Sequence, residues 1–125
     1  MRILRSWLHA ARLADLVLFY PAILVVIWGE LAGSEPALIQ TANDKLLHFI
    51  AYFGLSAMAA AGFKRRRQVA LASLGLIVLG GTLEIIQGFI GRDMSLLDEA
   101  ANTIGVAVGG LTARVVVEAL RRWLT

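Results

Sequence analysis

Residues 80–110 read GGTLEIIQGFIGRDMSLLDEAANTIGVAVGG, and this stretch decides the fold. Two apolar segments meet at a tight turn, Gly91-Arg92-Asp93-Met94. Glu84 and Gln87 precede the turn, and Ser95, Asp98, Glu99 and Asn102 follow it. Ionisable groups within a membrane helix are costly, and by default they mark a functional site. Ser95 stands where a helix N-cap belongs, with Asp98 three residues on as a short version of the capping-box acid. The stretch therefore reads as the outer end of one membrane helix, a turn, and the start of the next.

The rest of the chain fits this reading. Its 125 residues make one domain, 1–125, of which 58% are hydrophobic and only 17% charged. With a mean hydropathy of +0.73, it lies far from the composition of an ordinary soluble domain. The absence of cysteine excludes disulfides, a thiol nucleophile and a cysteine metal site. The formal charge of +3 does not point to nucleic acid, because the cations sit between apolar segments instead of spreading over a face.

Those segments predict an all-α polytopic membrane protein with four helices, at about 16–32, 46–63, 69–90 and 96–120. Residues 1–15, with Arg2, Arg5, Arg12, Trp7 and Leu8, read as an amphipathic lead-in at the interface, and His9 as an interfacial residue. Pro21 predicts a kink in the first helix, and Trp28 and Glu30 fall near its far interface. A rival reading makes the first segment a signal peptide ending around Ala32-Gly33-Ser34. After a polar link containing Glu35 and Pro36, Asn43 caps the second helix, with Asp44 in its first turn. The run 69–79 reads as lipid-facing, and Arg114 as a structural partner of Glu118 one turn on. Ten cations fall at one set of helix ends (Arg2, Arg5, Arg12, residues 64–67, Arg114, Arg121, Arg122) and two, Lys45 and Arg92, at the other. That bias places both termini and the 64–67 loop in the cytoplasm of a bacterial cell, with the chain multi-pass in its cytoplasmic membrane.

Helical arithmetic brings the polar residues together. At about 100° per residue, Asp98, Asn102, Gly105, Gly109 and Thr112 fall within roughly 80° of one another. Gly105 and Gly109 form a GxxxG step that admits a neighbouring helix and also offers a homo-oligomer contact. Ser73, Ile77, Gly80, Glu84, Gly88 and Gly91 share a face of the third helix, with Gln87 on its flank. Asp44, His48 and Tyr52 stack one turn apart on the second. Glu84 and Asn102 each lie about 10 Å below the outer helix ends. The candidate site is thus Asp44, Lys45, His48, Tyr52, Glu84, Gln87, Arg92, Ser95, Asp98 and Asn102. Within it, Gln87 alone reads first as packing glue, and Tyr52 as core.

The series Asp44-Lys45-Leu46-Leu47-His48-Phe49, Tyr52-Phe53-Gly54-Leu55, Glu84-Ile85-Ile86-Gln87, Arg92 with Ser95-Leu96-Leu97-Asp98, and Asn102-Thr103-Ile104-Gly105 with Gly109 resembles the VanZ-like family over about residues 44–110. The resemblance implies a small multi-helix membrane protein. It also implies kinship with a protein associated with low-level teicoplanin resistance, whose biochemical activity is not established. Asp93 departs from the family pattern by placing an acid beside Arg92.

Two functions follow from the polar set. In the first, the site binds an anionic envelope lipid or cell-wall precursor, with Lys45 and Arg92 meeting phosphate. In the second, an intramembrane hydrolase or transferase acts on a lipid head group, with His48 as base or nucleophile and Asp98, Asp44 or Glu84 in support. A divalent metal on Asp44, His48, Glu84 and Asp98 is a minor alternative, and no cofactor is expected. Ion transport is disfavoured, because no polar path continues past Ser73.

Overall fold

The computed structural model describes residues 2–32, 43–91 and 94–124, with Asn43 described in its backbone alone. Arg92 and Asp93, the link 33–42 and the Asn43 side-chain cap lie outside the described residues. Four helices follow in order: α1 Arg2–Leu31, α2 Asn43–Gly62, α3 Arg66–Phe89 and α4 Leu96–Leu124. Each is long and apolar enough to cross a membrane. Much of their apolar surface faces outward, including Leu71, Leu74 and Val78 on α3 and Leu111, Val115 and Val116 on α4. A water-soluble protein rarely leaves so large an apolar surface uncovered. The chain is an all-α, multi-pass membrane protein.

Side-chain contacts establish that the helices alternate in direction. Gln87 near the end of α3 bonds the main chain at Glu30 near the end of α1, and His48 near the start of α2 bonds Asn102 near the start of α4. At the opposite end, the rings of Phe19 and Phe63 meet edge to face with centroids 6.0 Å apart. All the polar candidates among the described residues lie toward the first end; the basic run 64–67 and the Arg114–Glu118 pair (3.3 Å) lie toward the other.

The expected lead-in and first span form one helix of 30 residues with Pro21 inside it. Nothing between Arg12 and Leu16 breaks a helix, so the polar first turns continue into the apolar ones. At about 45 Å this helix exceeds the bilayer's hydrocarbon thickness of about 30 Å. Helices α2 and α3 begin about one turn earlier than hydropathy suggests, because Asp44, Lys45, Arg66 and Arg67 are charged yet helix-competent.

The core comprises Phe19, Tyr52, Leu55, Ala59, Leu76 and Val106. The run 69–79, expected to face lipid, is divided: Leu76 is buried in the core and Ala72, Ile77 and Leu79 pack against it, while Ala70, Leu71, Leu74, Gly75 and Val78 are exposed. The most extensive interface joins α2 to α4, and its closeness comes from the GxxxG step. A Cβ on Gly105 would stand 2.6 Å from the carbonyl oxygen of Phe49, and one on Gly109 would overlap the Phe53 main chain. These glycines therefore admit a helix of the same chain, which occupies the contact that a second copy would use. Ser56 Oγ crosses the seam to donate to the Val106 carbonyl at 2.6 Å.

Gly109→Ala and Gly105→Ala should each destabilise the protein by about 1–3 kcal/mol through overpacking. Gly75→Ala, where an added Cβ meets nothing within 4 Å, should leave stability unchanged. Thermal unfolding in detergent checks this, and equal behaviour of the three variants would contradict the α2–α4 seam.

Candidate functional site

His48 is the centre of the polar cluster. It is 7% exposed, one turn into α2, and oxygens flank both ring nitrogens. Nδ1 lies 3.0 Å from Asn102 Oδ1 and 3.5 Å from Glu30 Oε1. Nε2 lies 3.7 Å from Asp44 Oδ1 and 3.9 Å from Asp98 Oδ2. The Asn102 amide, 0% exposed, is oriented by Glu99, whose Oε2 accepts from Nδ2 at 3.3 Å. With its NH₂ turned to a carboxylate, Asn102 presents its oxygen to the imidazole. Nδ1 must then be the donor. A chain from Glu99 through Asn102 thus fixes the ring and leaves Nε2 as the nitrogen that faces Asp44 and Asp98.

Local structure explains how each group arrives. Asp44 and His48 share a face of α2 as an i,i+4 pair. Ser95 Oγ accepts from the Asp98 N–H at 3.3 Å, the expected N-cap of α4. The Asp98 carboxylate turns away from the cap toward His48, and its other oxygen lies 3.8 Å from Lys45 Nζ. Gly80 makes room for this chemistry: a Cβ there would stand 2.8 Å from Glu99 Oε2 and 2.9 Å from Asn102 Nδ2.

The remaining candidates take supporting positions. Glu84 is buried, and its Oε2 accepts from the Ser95 N–H at 3.0 Å, so it caps α4 from across the turn instead of facing the imidazole. Gln87 Nε2 donates to the Glu30 carbonyl at 2.8 Å and ties α3 to α1. Tyr52 is completely buried in the core beside Glu30. Arg92 lies outside the described residues.

Glu30 belongs to this cluster, although by sequence position it reads as an interfacial residue. Its burial at the end of α1 depends on how α1 packs against α2 and α3. The one available signal was an acid close to the outer end of the first apolar segment.

Access to His48 lies between α1 and α2. A cavity of about 240 Å³ is lined by Val26, Gly29, Leu47 and Ala51 and ends on Glu30, Asp44 and His48. A larger cavity, about 480 Å³, lies at the basic end near Lys64, Arg66, Arg114 and Arg121 and touches none of the site residues.

The chain is similar to the Schizosaccharomyces pombe (strain 972 / ATCC 24843) protein C11E3.10, itself uncharacterized, with 36% identity over 110 residues. The match takes in 84% of this chain and 66% of the yeast protein, slightly under two thirds of that relative's length. No family model matches the chain, and no solved structure matches it.

Glu84→Gln keeps an acceptor for the Ser95 N–H, whereas Glu84→Ala leaves a donor unsatisfied. The alanine variant should lose about 1–3 kcal/mol of stability and the glutamine variant markedly less. Equal losses in thermal unfolding would remove the cross-turn cap.

Proposed function

We propose that this membrane protein is a hydrolase or group transferase acting on a lipid head group, with the nucleophile activated at His48 Nε2. The observation that carries this reading is the crevice between α1 and α2, with apolar walls and a polar end at Glu30, Asp44 and His48. A lipid entering from the bilayer would rest its chain on Val26, Leu47 and Ala51 and bring its head group to the imidazole. Asp44 and Asp98 stabilise positive charge at Nε2, as a carboxylate does beside a catalytic imidazole, and the Asn102–Glu99 chain holds the ring. In hydrolysis, water oxygen bonds to the phosphorus or acyl carbon, the ester bond to the leaving oxygen breaks, and the water proton passes to that oxygen. In transfer, an acceptor hydroxyl replaces water.

Passive binding of an anion, the other reading of the polar set, fits the charges less well. Glu30, Asp44, Asp98, Glu84 and Glu99 crowd the site, and the Lys45 ammonium is already beside Asp98. Such a lining repels a bare phosphate. A phospholipid head group is preferred to a cell-wall precursor, because the similar protein belongs to a yeast and phospholipids occur in every membrane. Membership of the VanZ-like family belongs to the same proposal. So does the orientation with both termini and the 64–67 loop cytoplasmic, and residence in the cell membrane. The polar residues that carry the resemblance and lie within the described residues (Asp44, Lys45, His48, Glu84, Gln87, Ser95, Asp98 and Asn102) converge or hold the site in shape, which supports the family reading.

The test is reconstitution of the purified chain in vesicles of phosphatidylethanolamine and phosphatidylglycerol, with products followed by ³¹P NMR and mass spectrometry. Wild type should release or exchange head groups, and His48→Asn should lose about 10²–10⁴-fold in rate while still retaining co-purified lipid. Unaltered lipid retained by wild type, and lost in a graded way across His48→Asn and Lys45→Gln, would sink the enzyme and restore the binding reading.

A further inference from the structure

The arrangement around Nε2 is incomplete as drawn by hydrogen bonds alone. With Nδ1–H committed to Asn102, Nε2 has no hydrogen bond among the described residues. Its separations of 3.7 Å from Asp44 and 3.9 Å from Asp98 exceed hydrogen-bond range. Asp98, 6% exposed, faces Nε2 with Oδ2, while its Oδ1 has no hydrogen-bond partner among the described residues and has the Lys45 ammonium 3.8 Å away. A nitrogen lone pair and two carboxylates that face one another without touching repel unless something positive lies between them.

The geometry points to a divalent transition-metal ion, of the zinc class, held by His48 Nε2, Asp44 and Asp98. One donor atom from each lies within 4.8 Å of the others. Two metal–ligand bonds of about 2.1 Å at a tetrahedral angle separate their donors by about 3.4 Å. The two separations from Nε2, 3.7 and 3.9 Å, are a few tenths of an ångström wider, and the Asp44 and Asp98 oxygens lie within 4.8 Å of each other. The ligand set of one imidazole and two carboxylates favours zinc or manganese over magnesium or calcium. Three protein ligands leave a position open, the form of a catalytic site. The pattern Asn102 Oδ1···H–Nδ1 of His48 is the outer-sphere contact that metal-bound histidines make. Glu84, placed with these ligands by the sequence pattern, is not among the three side chains whose donor atoms converge, and its Oε2 accepts from the Ser95 N–H.

The ion also answers the surplus of acids. Two added positive charges among Glu30, Asp44 and Asp98 turn a lining that repels phosphate into one that can meet it. This inference rests on the proposed lipid chemistry and changes one role in it: with Nε2 and the two carboxylates bound to the ion, the ion instead of the imidazole would activate the attacking water, while the geometry of the site stands independently of that chemistry.

The experiment uses the full chain purified with a tag free of histidine, stripped with chelator and dialysed against micromolar Zn(II) in detergent. Elemental mass spectrometry should find about one zinc per chain in wild type and in Glu84→Gln. His48→Gln, Asp98→Asn and Asp44→Asn should each bind at least about 100-fold more weakly, since losing an outer contact alone costs about 10–100-fold. Where those variants fail to fold, wild type substituted with Co(II) decides. It should show visible ligand-field absorption displaced by zinc, and a paramagnetically shifted, exchangeable imidazole N–H from the Nδ1 of His48. Wild type that stays metal-free and lacks both cobalt signatures overturns the site, as does undiminished zinc binding in folded His48→Gln or Asp98→Asn. Zinc bound without lipid turnover would remove the enzyme and leave the metal. Full turnover in rigorously metal-free protein would remove the metal and leave the enzyme.

Discussion

The close approach of α2 and α4 is the constraint on which the rest depends. Main chain meets main chain at Gly105 and Gly109 because neither carries a Cβ to hold Phe49 and Phe53 away. In lipid no hydrophobic force drives two helices together, so close packing and inter-helix hydrogen bonds must supply the association. The Ser56–Val106 bond lies on the same seam. One turn and two turns toward the polar end, the same approach brings Asn102 and Asp98 to His48. A wider seam would separate the imidazole from both.

Polar groups at membrane depth are retained only when each has a partner, and here the partners form a hierarchy. Glu84 and Gln87 serve the scaffold, one capping α4 and the other tying α1 to α3. Glu99 and Asn102 orient the ring. Asp44, His48 and Asp98 are left facing one another across gaps too wide for hydrogen bonds. The centre thus holds a buried imidazole nitrogen and two carboxylates with no hydrogen bond between them, which is the pattern of a site built to receive something.

The position of that centre matters as much as its composition. It lies at the level where α2 and α4 begin, so Lys45 reaches solvent while His48 is enclosed. The crevice between α1 and α2 then connects a polar centre to the apolar side of the bundle. In the proposed function, that crevice is the route by which a lipid reaches the imidazole.

Fold class, helix number and the level of the polar groups were legible in the chain itself, because hydropathy, small-residue spacing and the periodicity of Asp98, Asn102, Gly105 and Gly109 are local properties. The convergence of α2, α3 and α4 followed from the same arithmetic. Tertiary structure alone decided which polar residues face the imidazole. Glu84 and Asp98 look equivalent along the chain, yet the turn between α3 and α4 commits Glu84 to the Ser95 N–H and leaves Asp98 for His48. Glu30 entered the site for a related reason. Helix periodicity gives the direction of a side chain about its own axis, but not how far a neighbouring helix has slid along it. That sliding, set here by two glycines and by the Gln87 bond to α1, determines which carboxylates meet.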